Sequence, residues 1–224
     1  HLSIRRQRQM CIRDRMSTLE QLNRLAANDV PAFVDVLHGI YEHSPWIPER
    51  AAKLAPFGNI TALKQAMQGV VFAATRAEQL QLIRAHPELA GKAAIAGTLT
   101  AESTGEQAKA GLNLCSPEEF ATLQQLNSDY NSKFGFPFIL AVKGATGKGL
   151  TRQQIIATFT RRLRNQPEDE LREALRQIGR IAEMRINDLL GHVPAIGATV
   201  MEWAEDIAAW SEDEGALTLS LIHI

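Results

Sequence analysis

The chain has 224 residues, 24 basic against 25 acidic side chains, and a formal net charge of −1. That balance leaves no electrostatic footprint for nucleic acid or an anionic membrane surface, and no apolar run approaches the ~20 residues of a membrane span. With 45% hydrophobic and 22% charged residues, the composition is that of one globular domain with a real core, with or without a short appendage. Cys11 and Cys115 form neither a metal spacing nor a disulfide framework, which fits a reducing, cytoplasmic compartment.

Residues 1–15 (HLSIRRQRQMCIRDR) are basic, lack capping logic and precede Met16, and are expected to be a non-native extension. From there, capping boxes punctuate the chain: Ser or Thr, then Glu or Gln three residues on. Ser17 with Glu20 opens a helix over Leu19, Leu22, Leu25 and Ala26. Pro31 suits the first turn of a second helix, which carries Phe33, Val34, Leu37 and Ile40 on one face. Ser44-Pro45-Trp46-Ile47-Pro48-Glu49-Arg50 reads as a rigid two-proline loop packed on the bundle, with Glu49 and Arg50 in reach of a site. Thr61 starts a helix through Met67 and Val71, and Thr75 with Glu78 starts another that must stop before Pro87. Ser116, Pro117 and Glu119 open a helix closed near Gly135. Thr151 with Gln154 opens one more, and Pro167 opens the longest, ended by Gly191.

One stretch departs from this pattern. Phe136 to Val142 is apolar, aromatic and β-branched and too short for a typical helix, so it reads as a buried extended segment. It has no strand to pair with. The expected fold is therefore all-α: a single helical bundle with one short extended segment, over residues 16–191. Lys143 to Leu150 (KGATGKGL) superficially resembles a phosphate loop, but Lys148 is followed by Gly149 rather than Ser or Thr. Residues 192–218 read as a linker and an acidic amphipathic helix carrying Val200, Trp203, Ile207 and Trp210, possible start of a second domain; 219–224 are expected to be non-native.

The chemistry concentrates in two places. Arg84-Ala85-His86-Pro87-Glu88-Leu89-Ala90-Gly91-Lys92 places a histidine where a helix must end, and Ser103-Thr104-Gly105-Glu106-Gln107 returns a carboxylate and an amide about twenty residues later. A histidine titrates near neutrality, and beside a carboxylate it is a ready general acid/base. The plainer alternative is a histidine that only satisfies the last helix carbonyls. Glu106 has its own plain reading as the N3 residue of a capping box opened by Ser103, although the same helix start could bind an anion. Arg185, between Met184 and Ile186, is either a snorkelling side chain or a clamp for a carboxylate or ureido group. Phe136-Pro137-Phe138-Ile139 is either core or the wall of a site. No metal-ligand spacing and no nucleophile elbow is present.

Taken in order, Ser44-Pro45-Trp46-Ile47-Pro48-Glu49-Arg50-Ala51, the His86-Pro87-Glu88-Leu89 stretch, Ser103-x-x-Glu106-Gln107, Lys133-Phe134-Gly135-Phe136-Pro137-Phe138-Ile139 and a late-helix arginine resemble the OHCU decarboxylase family. OHCU is 2-oxo-4-hydroxy-4-carboxy-5-ureidoimidazoline, a late intermediate of urate breakdown. The resemblance spans Ser17 to Leu190. It implies an all-α, cofactor-free homodimeric carboxy-lyase that forms (S)-allantoin in purine catabolism. It also implies His86, Glu106 and Arg185 as catalytic residues, with Arg180 the alternative arginine. Pro87, Ser103, Gln107, Phe136, Phe138 and Ile139 are the implied substrate-binding set. The tail, from Val200 to Thr218, resembles the opening helix of allantoate amidohydrolase-type M20 enzymes, which implies fusion to, or association with, another ureide-pathway enzyme. Two other readings stay open: a non-catalytic helical interaction module with a groove lined by Trp46, Phe136 and Phe138, and a related ureido-compound lyase or hydrolase on the same scaffold.

Overall fold

The computed structural model describes residues 18–90, 103–104, 115–142 and 149–191. Among them are eight helices and no strand: α1 (Leu19–Asn28), α2 (Val30–Val36), α3 (Trp46–Ala52), α4 (Ile60–Ala73), α5 (Arg76–Ala85), α6 (Pro117–Phe134), α7 (Arg152–Arg162) and α8 (Pro167–Leu190). The all-α expectation holds. Ser103 and Thr104 are helical as well.

Local sequence sets most of the helix ends. Thr75 accepts from the Glu78 N–H while Glu78 returns to the Thr75 N–H, and the same reciprocal box closes on Ser116/Glu119 and Thr151/Gln154. Each satisfies two N–H groups that an open helix start leaves without partners. The first box is one residue later than expected: Thr18 pairs with Gln21, and Glu20 instead lies in the first turn. Asn59, two residues before the predicted Thr61, caps α4. Gly135 and Gly191 terminate α6 and α8 at φ 74 and 63, left-handed values that a side chain tolerates poorly.

The two-proline stretch is a correction. Trp46 to Ala52 is helix α3, not a loop. Pro45 stands outside at the N-cap and Pro48 in the first turn, where no backbone N–H has an intrahelical partner to lose. Arg50 stacks on Trp46, 4.7 Å from the ring centroid, and pairs with Glu78, so Glu49 and Arg50 do not line the recess described below.

Helix α8 is the axis of the fold. It packs against α4, α5 and α6, while α1 to α4 pack in succession and α6 packs on α7. Its buried positions run from Glu170 and Leu171 through Ala174, Leu175, Ile178, Ile181, Arg185 and Ile186, a stripe broad enough to face several neighbours at once. Phe136 to Val142 is the expected extended segment, with no regular secondary structure beyond a turn at its end. Phe138 stacks on Phe159 at 3.8 Å, and Tyr130 meets Phe136 and Phe138 edge-on, geometries aromatic rings favour. No helix among the described residues is long and apolar enough to cross a membrane.

Candidate active site

Pro87 shapes the first part of the site. A proline disfavours the helical region for the residue before it, so His86 leaves α5 as its C-cap, extended at φ −79 and ψ 140. The imidazole folds back and its Nδ1 lies 2.9 Å from the Leu82 carbonyl oxygen. A carbonyl only accepts, so the neutral ring carries its proton on Nδ1 and leaves a lone pair on Nε2. Nε2 is buried and has no hydrogen-bond partner among the described residues. The helix-terminal contact considered from sequence therefore exists, and it fixes the tautomer of a ring whose other nitrogen is left unengaged.

The segment after His86 is pinned by one face of α6. Asn131 donates to Glu88 at 2.6 Å, Asn127 to the Leu89 carbonyl at 3.0 Å and Gln124 to the Ala90 carbonyl at 2.7 Å. Ala90 sits at φ 50, an unfavourable value for a residue with a Cβ, and these bonds hold it there.

His86, Pro87, Leu89, Ser103, Phe138, Ile139, Leu140, Val142, Ile181 and Arg185 line a recess that opens to solvent, about 370 Å³ with its open mouth counted. Of the predicted residues, it unites His86, Pro87, Ser103, Phe138, Ile139 and Arg185. Phe136 is not in the wall; it is buried against Tyr130 and Phe134, a core role. Arg185 lines the recess and Arg180 does not. Glu106 and Gln107 lie outside the described residues.

The extended wall is held from behind by a buried ionic cluster. Arg162 donates to the Ile139 carbonyl at 2.7 Å and to Glu170 at 2.9 Å, and its guanidinium stacks on Phe138 at 4.5 Å. Glu170 also accepts from the Tyr130 hydroxyl and from Asn165. Gln177 accepts the Ala141 N–H at 3.0 Å. Burial presses on the Tyr130 hydroxyl and, with Glu170 beside it, raises it far above its ordinary range, so it stays a donor.

Glu42 is the residue that sequence reasoning missed. It lies in the turn between α2 and α3, flanked by left-handed residues at Gly39 (φ 90) and His43 (φ 45). The Ser103 hydroxyl donates to its carboxylate, and Arg185 donates to the same oxygen at 3.1 Å. The other Nη of Arg185 reaches the Gly39 carbonyl at 2.8 Å, and Ser103 Oγ lies 3.4 Å from the guanidinium. Burial works to raise the Glu42 carboxyl, but Ser103, Arg185 and His86 together hold it below the ordinary carboxylate value. Burial pushes His86 the other way for its type, down to about 4; the Leu82 carbonyl and Glu42 oppose this, while the charges of Arg185 and His43 add to it. At neutral pH the site therefore offers a neutral imidazole beside a guanidinium and a carboxylate. Among the described residues, no group of three or more His, Cys, Asp or Glu is placed to hold a metal ion.

Such a recess, with one base and one cation in an apolar wall, suits a small anionic substrate whose proton must be moved. Comparison with known proteins gives it a family. Over 169 residues the chain is 41% identical to the 2-oxo-4-hydroxy-4-carboxy-5-ureidoimidazoline decarboxylase of Haloferax volcanii, covering 75% of this chain and 94% of that one. It is 41% identical over 175 residues to the uric acid degradation bifunctional protein PucL of Bacillus subtilis, covering 78% of this chain but only 33% of PucL. Among solved structures it superposes on an (S)-allantoin synthase with TM-score 0.60 and 28% identity, covering 78% of this chain and 54% of that chain. The family model of the OHCU decarboxylases matches residues 26–187, and the chain belongs to that family.

Proposed function

We propose that this chain decarboxylates 2-oxo-4-hydroxy-4-carboxy-5-ureidoimidazoline to (S)-allantoin in urate breakdown, with His86 as the proton-transfer group. The observation that carries the chemistry is the His86 ring: Nδ1 is committed to Leu82, and Nε2 is buried with no partner among the described residues, in a side chain that lines the recess.

The substrate bears a carboxylate and a hydroxyl on one ring carbon, next to the carbon that holds the ureido group. As carbon dioxide leaves, the bond pair passes into the adjacent ring carbon–nitrogen double bond, and the nitrogen takes up one proton. An enol remains. Moving its hydroxyl proton to the ureido-bearing carbon gives the carbonyl of allantoin and sets its configuration. A neutral imidazole with a lone pair on Nε2 suits that transfer: it accepts the hydroxyl proton and returns it to one face of the carbon. A positioned acid/base contributes about 10²–10⁴-fold, and holding the reactants in place can contribute as much or more. Arg185 supplies the cation that meets the carboxylate or a carbonyl. The family resemblance adds Glu106, to tune His86, and Gln107, to orient the ureido group, to the proposed set. The sink for the electron pair is the substrate's own ring, so the scheme uses no cofactor.

The interaction-module alternative loses its groove, because Phe136 and Phe138 are 4% and 1% exposed. The proposal extends to a homodimer in the cytoplasm. It extends also to residues 192–218 as the start of a further ureide-pathway domain, a reading in keeping with the bifunctional relative. The test is direct. Substrate generated in situ from urate should disappear faster than its spontaneous decay, with one carbon dioxide released per molecule; decay at the uncatalysed rate would refute the proposal.

A further inference from the structure

We propose that Glu42 is a positioning residue for this decarboxylation: from behind the recess, its carboxylate fixes what Ser103 and Arg185 present to the substrate. This rests on the decarboxylase reading. Glu42 is 1% exposed and is not part of the recess wall, whereas both of its partners are. A carboxylate that deep is tolerated only when hydrogen-bonded and paired, and two of its partners, Ser103 and Arg185, line the recess. The backbone is bent to put it there, with Gly39 and His43 left-handed on either side and the Ser44 hydroxyl donating to the Glu42 carbonyl at 2.9 Å.

Two consequences follow for the substrate. The Ser103 hydroxyl has a single proton and gives it to Glu42. Whatever else meets that oxygen meets it as an acceptor. Arg185 already directs an N–H at that oxygen from 3.4 Å, and a substrate group meeting it must likewise be a donor, such as the N–H of a ureido or ring amide, rather than a carbonyl. The second consequence is electrostatic. Without Glu42, the Arg185 guanidinium would lose the buried carboxylate 3.1 Å away and grip the substrate carboxylate more tightly. That carboxylate is the group to be lost, and tight binding of it stabilises the ground state more than the transition state. Glu42 offsets the cation, so Arg185 orients the carboxylate without trapping it.

Glu42→Gln keeps the shape and removes the charge. The expected result is a kcat lower by about 10- to 100-fold, the scale of a small misplacement of reacting groups, with a KM that is unchanged or lower. A merely structural role would raise KM and lower the melting temperature together. The loss should also shrink severalfold when Ser103 is already Ala, because the two act as a unit. Wild-type kcat in Glu42→Gln, or a loss that simply adds to that of Ser103→Ala, would overturn the proposal. If Glu42→Gln does not fold, Glu42→Asp takes its place: it keeps the charge but withdraws the carboxylate by one methylene. It should lose severalfold in kcat, and wild-type kcat would again overturn the role. Wild-type turnover measured alongside separates the two readings. If the wild type is inactive, the decarboxylase reading fails by itself. Glu42 is then judged by a crystal structure of the folded variant: a displaced Arg185 guanidinium supports positioning, and an unmoved Arg185 and Ser103 overturn it.

Discussion

Among single residues, His86 is the one on which the proposed chemistry depends. Its folded-state value is depressed, to about 4 from an ordinary 6.5. The unfolded chain therefore binds a proton on this ring between those values while the folded chain does not. The contribution to stability is complete above pH 6.5 and is lost as pH falls towards 4, on the order of 2–4 kcal/mol in all. Urea denaturation at pH 7 and pH 4.5 should show that loss in the wild type and a smaller one in His86→Gln, which has no ring to protonate. Equal losses would mean that the ring is not held neutral. His86 was legible from its own neighbours, since Pro87 dictates the helix end; Ser103 and Arg185 were reached through the family resemblance, because their neighbours equally allow a helix cap and a snorkelling side chain. Glu42 was not. Its partners Ser103 and Arg185 are 61 and 143 residues away, and nothing in Tyr41-Glu42-His43-Ser44 distinguishes a buried carboxylate from a solvated one. Phe136 and Phe138, two positions apart in an extended segment, looked equivalent, yet only Phe138 lines the recess.

At the scale of elements, two kinds of support are separable by experiment. The capping box of α5 lies at the end remote from His86. Thr75→Ala should cost about 1 kcal/mol of stability and leave kcat unchanged when the folded enzyme is assayed. The Arg162–Glu170 pair is different, because it holds both the core and the Ile139 carbonyl of the wall. Arg162→Met leaves Glu170 buried with its charge uncompensated, and should cost about 3–5 kcal/mol and raise KM. Removing both charges, in Arg162→Met with Glu170→Met, should recover part of the stability but not the KM, since the Ile139 carbonyl still lacks its donor. Denaturation and steady-state kinetics on the same samples decide this. The helices were legible for a related reason: capping boxes are local, so Thr75/Glu78, Ser116/Glu119 and Thr151/Gln154 declare themselves in four residues. Helix α3 was missed because two prolines were read as breakers. Their positions at and just inside a helix start make them compatible with it, and that start is fixed by packing on α2 and α4 rather than by a polar cap.

At the scale of the whole molecule, the site is assembled from the turn before α3, the end of α5, Ser103, the extended wall and α8. No one segment carries it, and α8 packs against three other helices. Activity and helical circular dichroism should therefore be lost at the same urea concentration, as one cooperative transition. Earlier loss of activity would mean that the site opens before the bundle does. The all-α class was readable from periodicity and caps, but the convergence of these five pieces was not, because it depends on how α8 packs rather than on any local pattern. This convergence makes His86 the proposed proton-transfer group of a decarboxylase. The measurement that tests it most directly follows the circular dichroism of allantoin as it forms from substrate generated in situ, with wild type and His86→Ala side by side. The wild type should give a rapid (S)-allantoin signal that is lost in the variant. Slow racemic product from both would contradict it.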